Sequence, residues 1–282
     1  MNQISKLRNI IDTGRTVVAP GVFDGLSAKL VENANFEAVY VSGGAVSRSA
    51  GYPDIGLLTF TEVCDRLEKI VDVVNIPVIA DADTGFGNTV NVKRTVKTYE
   101  RIGVAGLHIE DQFMPKRCGH LNNKSLVTKD EMVKKIKAAV GSKINLDFTV
   151  IARTDAIAVD GFDSALERAE AYLEAGADMI FVEAPESIDQ IELIAEKIKA
   201  PKLINMFHGG KTPIVPINRL KEMGYQLVII PSDLQRAAIK AMQNVLKVIY
   251  EKGDSSSVKN MMVSFNEREA IIETGKYLSN FN

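Results

Sequence analysis

The sequence predicts an α/β protein of the (β/α)8 TIM-barrel class, with one further helical segment after the barrel. Eight short apolar, β-branched runs recur along the 282 residues, and a helical pattern follows each of them. The runs are near-continuously apolar, as expected of parallel strands covered on both faces. Ionisable residues gather just behind them, where a barrel of parallel strands places its reacting groups. A doubly wound open sheet is the competing arrangement, but it would ordinarily use fewer strands.

In order, Leu7 to Ile11 begins an amphipathic helix that ends at Asp12-Thr13-Gly14. Thr16–Ala19 is the first strand, and Asp24 caps a helix to Val31. Ala38–Val41 is the second, followed by a loop from Ser42 to Leu57 and a helix to Val73 capped by Thr59 or Thr61. Ile76–Ala80 and Val104–Leu107 are the third and fourth strands, separated by a helix from Thr89 to Ile102. A long loop from Gln112 leads to Thr128, which caps the helix Lys129–Val140. Phe148–Ala152 is the fifth strand, with Asp163 capping the helix to Glu174; Asp178–Val182 is the sixth, with Ser187 capping a helix to Ile198. Lys202–Ile204 opens the seventh, before a short helix from Val215 to Met223. Leu227–Ile230 is the eighth, followed by a helix from Leu234 to Tyr250. After the polar break at residues 253–257, Val258 to Tyr277 reads as one more helix, so residues 1–253 form the barrel and 254–282 an extension.

Charge is nearly balanced, formally −2 with 34 basic and 36 acidic residues, and no basic block stands out. Nucleic acid and anionic membrane are therefore excluded as expected partners. Lys134-Lys135-Ile136-Lys137 reads as a solvated helix face. Two cysteines, no secretory leader at the start and no apolar run of membrane-spanning length make a reducing, cytoplasmic location the expectation.

The strand ends carry the chemistry. Asp81 and Asp83 stand at i and i+2 and are expected to share a face; two close carboxylates repel unless a cation sits between them. With no zinc-like cysteine or histidine spacing, oxygen ligation points to Mg²⁺, with Mn²⁺ as the alternative, and Asp54 and Glu110 are the further candidate ligands. Ser42-Gly43-Gly44 offers unobstructed backbone N–H groups to an anion, although Ser-Gly-Gly is also an ordinary turn. Arg153, just past a strand, suits an anionic substrate through paired hydrogen bonds; a salt bridge to Glu183 or Asp155 is its purely structural reading. Cys64 reads as a small core residue. Cys118, in Lys116-Arg117-Cys118-Gly119-His120, is flanked by cations expected to lower its pKa, and Gly119 suggests a mobile lid. His208 is expected to face solvent.

Tyr40-Val41-Ser42-Gly43-Gly44, Gly51-Tyr52-Pro53-Asp54, Asp81 to Gly87, Gly106 to Gln112, Lys116 to His120, Ala152 to Asp155 and Glu183-Ala184 resemble the isocitrate lyase and phosphoenolpyruvate mutase superfamily, in its 2-methylisocitrate lyase-type branch. That resemblance implies a Mg²⁺-dependent barrel that cleaves a C–C bond of a 2-hydroxy acid. It also implies a homodimer or homotetramer whose last helix is exchanged between subunits. Asp81 would hold the metal and Tyr40 would act as the base, with a metal-linked carboxylate as the alternative. Arg153 and His120 would offset charge, Cys118 would protonate the carbanion, and Glu183 would orient Arg153. The lid would bring Lys116 to the reacting groups and Arg117 and Gly119 to the substrate, whose carboxylates Ser42, Gly43, Gly44, Asn205 and Arg236 would bind. The segment Asn205 to Pro213 departs from methylisocitrate lyases and looks more like the dimethylmalate lyase and oxaloacetate-acting branches. An oxaloacetate hydrolase or decarboxylase, a phosphonomutase and a non-catalytic metabolite-binding barrel are the competing readings; the cysteine loop argues against the mutase.

Overall fold

The computed structural model describes residues 2–279, and its eight strands close into a parallel barrel in sequence order, β8 pairing back onto β1. The strands are β1 (Val17–Val22), β2 (Val39–Val41), β3 (Val78–Asp81), β4 (Gly106–Glu110), β5 (Thr149–Thr154), β6 (Met179–Val182), β7 (Lys202–Asn205) and β8 (Leu227–Ile230). Around them lie α1 (Gln3–Asp12), α2 (Gly25–Asn33), α3 (Gly43–Ser49), α4 (Phe60–Val71), α5 (Thr89–Ile102), α6 (Lys129–Val140), α7 (Phe162–Glu174), α8 (Ile188–Lys197), α9 (Ile217–Glu222) and α10 (Asp233–Lys252). The barrel interior is filled by Tyr40, Ile79, Ile151, Met179, Phe181, Leu203 and Ile229, which Leu7, Ile10 and Ile11 of α1 join. Among the described residues no helix is long and apolar enough to cross a membrane.

Helix starts follow the capping residues. Asp24, Thr59, Asn88, Thr128 and Ser187 each accept a backbone N–H of the first turn, which satisfies a donor the helix cannot. Asp163 does not cap α7: Gly161 takes that place at φ 92°, and Asp163 lies in the first turn. The expected loop from Ser42 to Leu57 contains α3, capped by Ser42. Strands β4 and β5 run further than their apolar cores, through Glu110 and Thr154, so His108, Glu110 and Arg153 are strand residues. Lys135 is not on a solvated face; it is buried and donates to the Thr84 carbonyl.

Beyond Gly253 the extension is a 3-10 turn (Ser256–Met261) and two short helices, α11 (Phe265–Ile271) and α12 (Thr274–Ser279), not one helix. Glu273 in this segment pairs with Lys29 of α2 at 2.8 Å.

One buried node fixes the ends of β4 and β5 together. Asp111 accepts from Thr154 Oγ1 (2.7 Å), the Asp155 amide (2.9 Å), Arg168 Nη1 (3.2 Å) and Tyr172 OH (2.8 Å). Asp111→Ala strips four buried donors of their shared acceptor and leaves Arg168 only the exposed Asp160 carboxylate at 3.4 Å, so a loss of about 3–5 kcal/mol is expected in chemical denaturation.

Candidate active site

Register decides which strand-end groups meet. Asp81 pairs across from His108, and Arg153 stands between Glu110 and Phe181. Strand-end side chains of one barrel therefore sit at one height around its mouth. They surround a cavity of about 330 Å³ lined by Tyr40, Ser42, Gly44, Asp54, Asp81, Lys116, Cys118, Gly119, His120, Arg153, Glu183, Asn205 and Arg236, all expected from the sequence. Pro231 and Ser232, which the sequence places at the end of the eighth strand, line it too, and Arg48, Phe181, Phe207 and Ile229, which sequence reasoning missed, complete the wall. Arg48 lies on α3, too short and glycine-rich to show a helical period, and the three apolar residues resemble ordinary strand or loop filler. Gly43, Asp83, Glu110 and Arg117 do not line it.

Arg153 is the electrostatic centre. Its guanidinium meets Asp155 at 2.9 Å, Glu110 Oε2 at 3.2 Å and Glu183 Oε2 at 3.4 Å, so both salt bridges proposed for it are present. His120 Nε2 lies 3.1 Å from Glu183, while its Nδ1 accepts from the Lys211 amide at 3.0 Å. That pattern places the ring proton on Nε2. Burial works to raise the Glu183 carboxyl, but Arg153 and His120 outweigh it and hold it below the usual range. Gly119 must be glycine: a β-carbon there would lie 2.4 Å from Arg153 Nη2 and 2.6 Å from Glu183 Cγ.

Around Asp81 the picture differs in part from expectation. Its Oδ2 accepts from the Gly43 amide at 3.2 Å and Tyr40 OH at 3.4 Å, so the Gly43 N–H serves Asp81. Burial would raise its carboxyl; His108, Lys116 and Arg153 bring it to about 2. Asp83 does not share a strand face with Asp81, because β3 ends at Asp81 and Asp83 turns left-handed at φ 45°. Burial, with Asp81 adding and Lys116 opposing, lifts Asp83 to about 6. Lys116 is buried, its ammonium 2.5 Å from Asp54 and 2.7 Å from Asp83. Two of the four acids expected to ligate a cation, Asp54 and Asp83, thus share the Lys116 ammonium. Among the described residues no three His, Cys, Asp or Glu side chains form a metal-holding group. A hard cation that keeps several waters nevertheless fits the donors, since it needs only one or two carboxylates. Asp81 faces the cavity, and Glu110 Oε1 is buried without a hydrogen-bond partner.

Two expectations are corrected. Tyr40 is held protonated: burial and Asp81 push its pKa well above the ordinary value, and it lies 2.7 Å from His108 Nε2. Burial holds that histidine near 4, hence neutral. Cys118 is not a stabilised thiolate, because burial and then the Asp54 carboxylate raise its pKa. Its flanking cations are turned elsewhere: Lys116 faces acids and the Arg117 side chain is exposed. Gln112 brackets Arg117, accepting from its amide at 2.9 Å and donating to its carbonyl at 2.8 Å. Two expectations hold: His208 is exposed, and Cys64 is a core residue whose thiol burial lifts to about 11.

The profile of the phosphoenolpyruvate phosphomutase family matches residues 7–250, and the chain belongs to that family, the phosphoenolpyruvate mutase/isocitrate lyase superfamily. It is 47% identical to the 2,3-dimethylmalate lyase of Eubacterium barkeri over 95% of this chain and 93% of the relative. It is also 47% identical to the 2-methylisocitrate lyase of Aeropyrum pernix, over 93% and 84%. The fold superposes on phosphonopyruvate hydrolase, solved with oxalate and Mg²⁺, with a TM-score of 0.91 and 31% identity over 99% of this chain and 98% of that one.

A group that must donate its proton loses function as pH rises through its pKa. With that pKa raised, the Cys118 alkylation rate is expected to climb only above the ordinary thiol range of about 8.5. A midpoint below it would show the thiolate to be stabilised after all. Gly119→Ala is expected to lower turnover by about 10²-fold, the usual result of an ångström-scale misplacement, with little change in melting temperature.

Proposed function

We propose that this protein is a Mg²⁺-dependent carbon–carbon lyase acting on a 2-hydroxy dicarboxylate of the 2,3-dimethylmalate type, giving pyruvate and propionate. The observation that carries the reading is that Cys118, Asp81 and Arg153 line one cavity of about 330 Å³ at the barrel mouth. When bound, Mg²⁺ (or Mn²⁺) would supply Lewis-acid polarisation of the substrate's hydroxyl and neighbouring carboxylate. Asp81 would hold it, with Asp54, Asp83 and Glu110 as oxygen donors directly or through water.

Loss of the 2-hydroxyl proton turns C2 into the keto carbon of pyruvate, and the C2–C3 electron pair leaves with C3. That carbon's carboxylate delocalises the charge, and Arg153 and His120 stabilise it. The Cys118 thiol then delivers its proton to C3, completing propionate. A raised pKa suits this role, because the group enters each turnover protonated. Tyr40, held protonated, serves better as a donor to Asp81 than as the base, which leaves a carboxylate near Asp81 as proton acceptor.

The dicarboxylate is favoured by the wall near β7 and β8. Phe207, Ile229 and Pro231 line it, while His208 points to solvent, so methyl groups rather than a third carboxylate are matched there. One feature favours the tricarboxylate 2-methylisocitrate, cleaved to pyruvate and succinate. Arg48 lines the cavity and, among the described residues, is in no ion pair. The exposed Phe265, Tyr277 and Leu278 of the extension are proposed to pack on a second subunit.

With Mg²⁺ and a panel of 2-hydroxy acids, pyruvate release read by a coupled dehydrogenase is expected for 2,3-dimethylmalate above 2-methylisocitrate; the reverse order overturns the substrate assignment. Cys118→Ala is expected to lower kcat by about 10²–10⁴ with binding retained, and unchanged turnover removes the thiol from the mechanism. Activity is expected to vanish in excess chelator and return with Mg²⁺.

A further inference from the structure

Lys124 has no part in the chemistry above, yet only 1% of its side chain is exposed. Its ammonium donates to Asp155 Oδ1 at 2.8 Å and to the Gly119 carbonyl. Asp155 in turn accepts from Arg153 Nε at 2.9 Å and Nη2 at 3.1 Å. One buried cation thus links the backbone next to the thiol with the carboxylate that steadies the central guanidinium.

Drying and immobilising a lysine is costly, and loops that merely cover a mouth do not need it. The link also spans two kinds of element. Asp155 immediately follows β5 and is fixed by Asp111, which accepts its amide at 2.9 Å. Gly119 sits in the segment between β4 and α6, among residues joined to the barrel by few regular backbone bonds: the Cys118 amide donates to the Asp54 carbonyl at 3.2 Å, and Leu121 donates to Cys118. Lys124 lies on that same segment, five residues after Gly119, so its ammonium ties the turn at Gly119 and the end of β5 together in the closed arrangement.

We propose that Lys124 is the positioning residue of the cysteine loop: by joining the Gly119 carbonyl to Asp155, it sets the closed register in which Cys118 reaches the substrate held near Arg153. This rests on the reading of Cys118 as the proton donor. Its test therefore includes a measurement that needs no turnover, the rate at which iodoacetamide alkylates Cys118 in the Mg²⁺-supplemented protein, with the adduct located by mass spectrometry.

In Lys124→Met the alkylation of Cys118 is expected to quicken by roughly tenfold as the loop opens, with kcat falling at least as much and KM moving little. Lys124→Arg is expected to recover part of both, since it keeps the charge and two donors. Wild-type alkylation with a reduced kcat would assign Lys124 to Asp155 electrostatics alone and overturn the proposal. Faster alkylation with unchanged kcat would overturn it equally. Should Lys124→Met fail to fold, Lys124→Gln is expected to show the same paired change, and wild-type values there refute the role. If no 2-hydroxy acid is cleaved by the unaltered protein, the alkylation comparison still decides whether Lys124 holds the loop.

Discussion

Everything at the mouth of this barrel answers to one buried positive charge, the Arg153 guanidinium. An arginine cannot discard its charge to enter a dry interior, so partners must be brought to it. Three carboxylates do so from three places: Glu110 from β4, Asp155 beyond β5 and Glu183 beyond β6. Phe181 closes the remaining side, its ring 5.1 Å from the guanidinium carbon. The cleft is therefore assembled by charge compensation across adjacent strands before any substrate arrives.

That compensation is incomplete in an informative way. Asp54, Asp81, Asp83, Glu110, Asp155 and Glu183 gather around the cations Lys116, Lys124 and Arg153. Around these three cations the acids are in excess, and ionising the buried carboxyls is costly. Burial holds the Glu110 carboxyl well above its normal pKa and Asp83 near 6. A divalent cation would relieve the same excess, and this is the physical ground for proposing one. Lys116, lying between Asp54 and Asp83, offsets part of it meanwhile.

The cysteine loop meets this charged centre at its backbone as well as through side chains. Gly119 presses its α-carbon against Arg153 and Glu183, and its carbonyl takes the Lys124 ammonium. A thiol delivered this way arrives in a dry setting beside carboxylates, which keeps it protonated. Catalysis by proton donation and a raised thiol pKa are thus two consequences of one placement.

Much of this was legible in the chain itself. Near-continuous apolar runs announced parallel strands, Asp24, Thr128 and Ser187 announced helix starts, and acids behind each run announced the rim. The departures share a cause. Periodicity ends an apolar strand where charge begins, yet β4 and β5 continue through Glu110 and Arg153 because barrel neighbours neutralise them. Local spacing made Cys118 a thiolate among cations, whereas burial and Asp54, 64 positions earlier in the chain, make it a thiol. Hydrophobic period and capping are local, so the chain already carried the barrel, its capped helices and the set of groups at its mouth. Which charges face each other and which are dry had to wait for folding, because those depend on residues far apart in the chain and on exclusion of water.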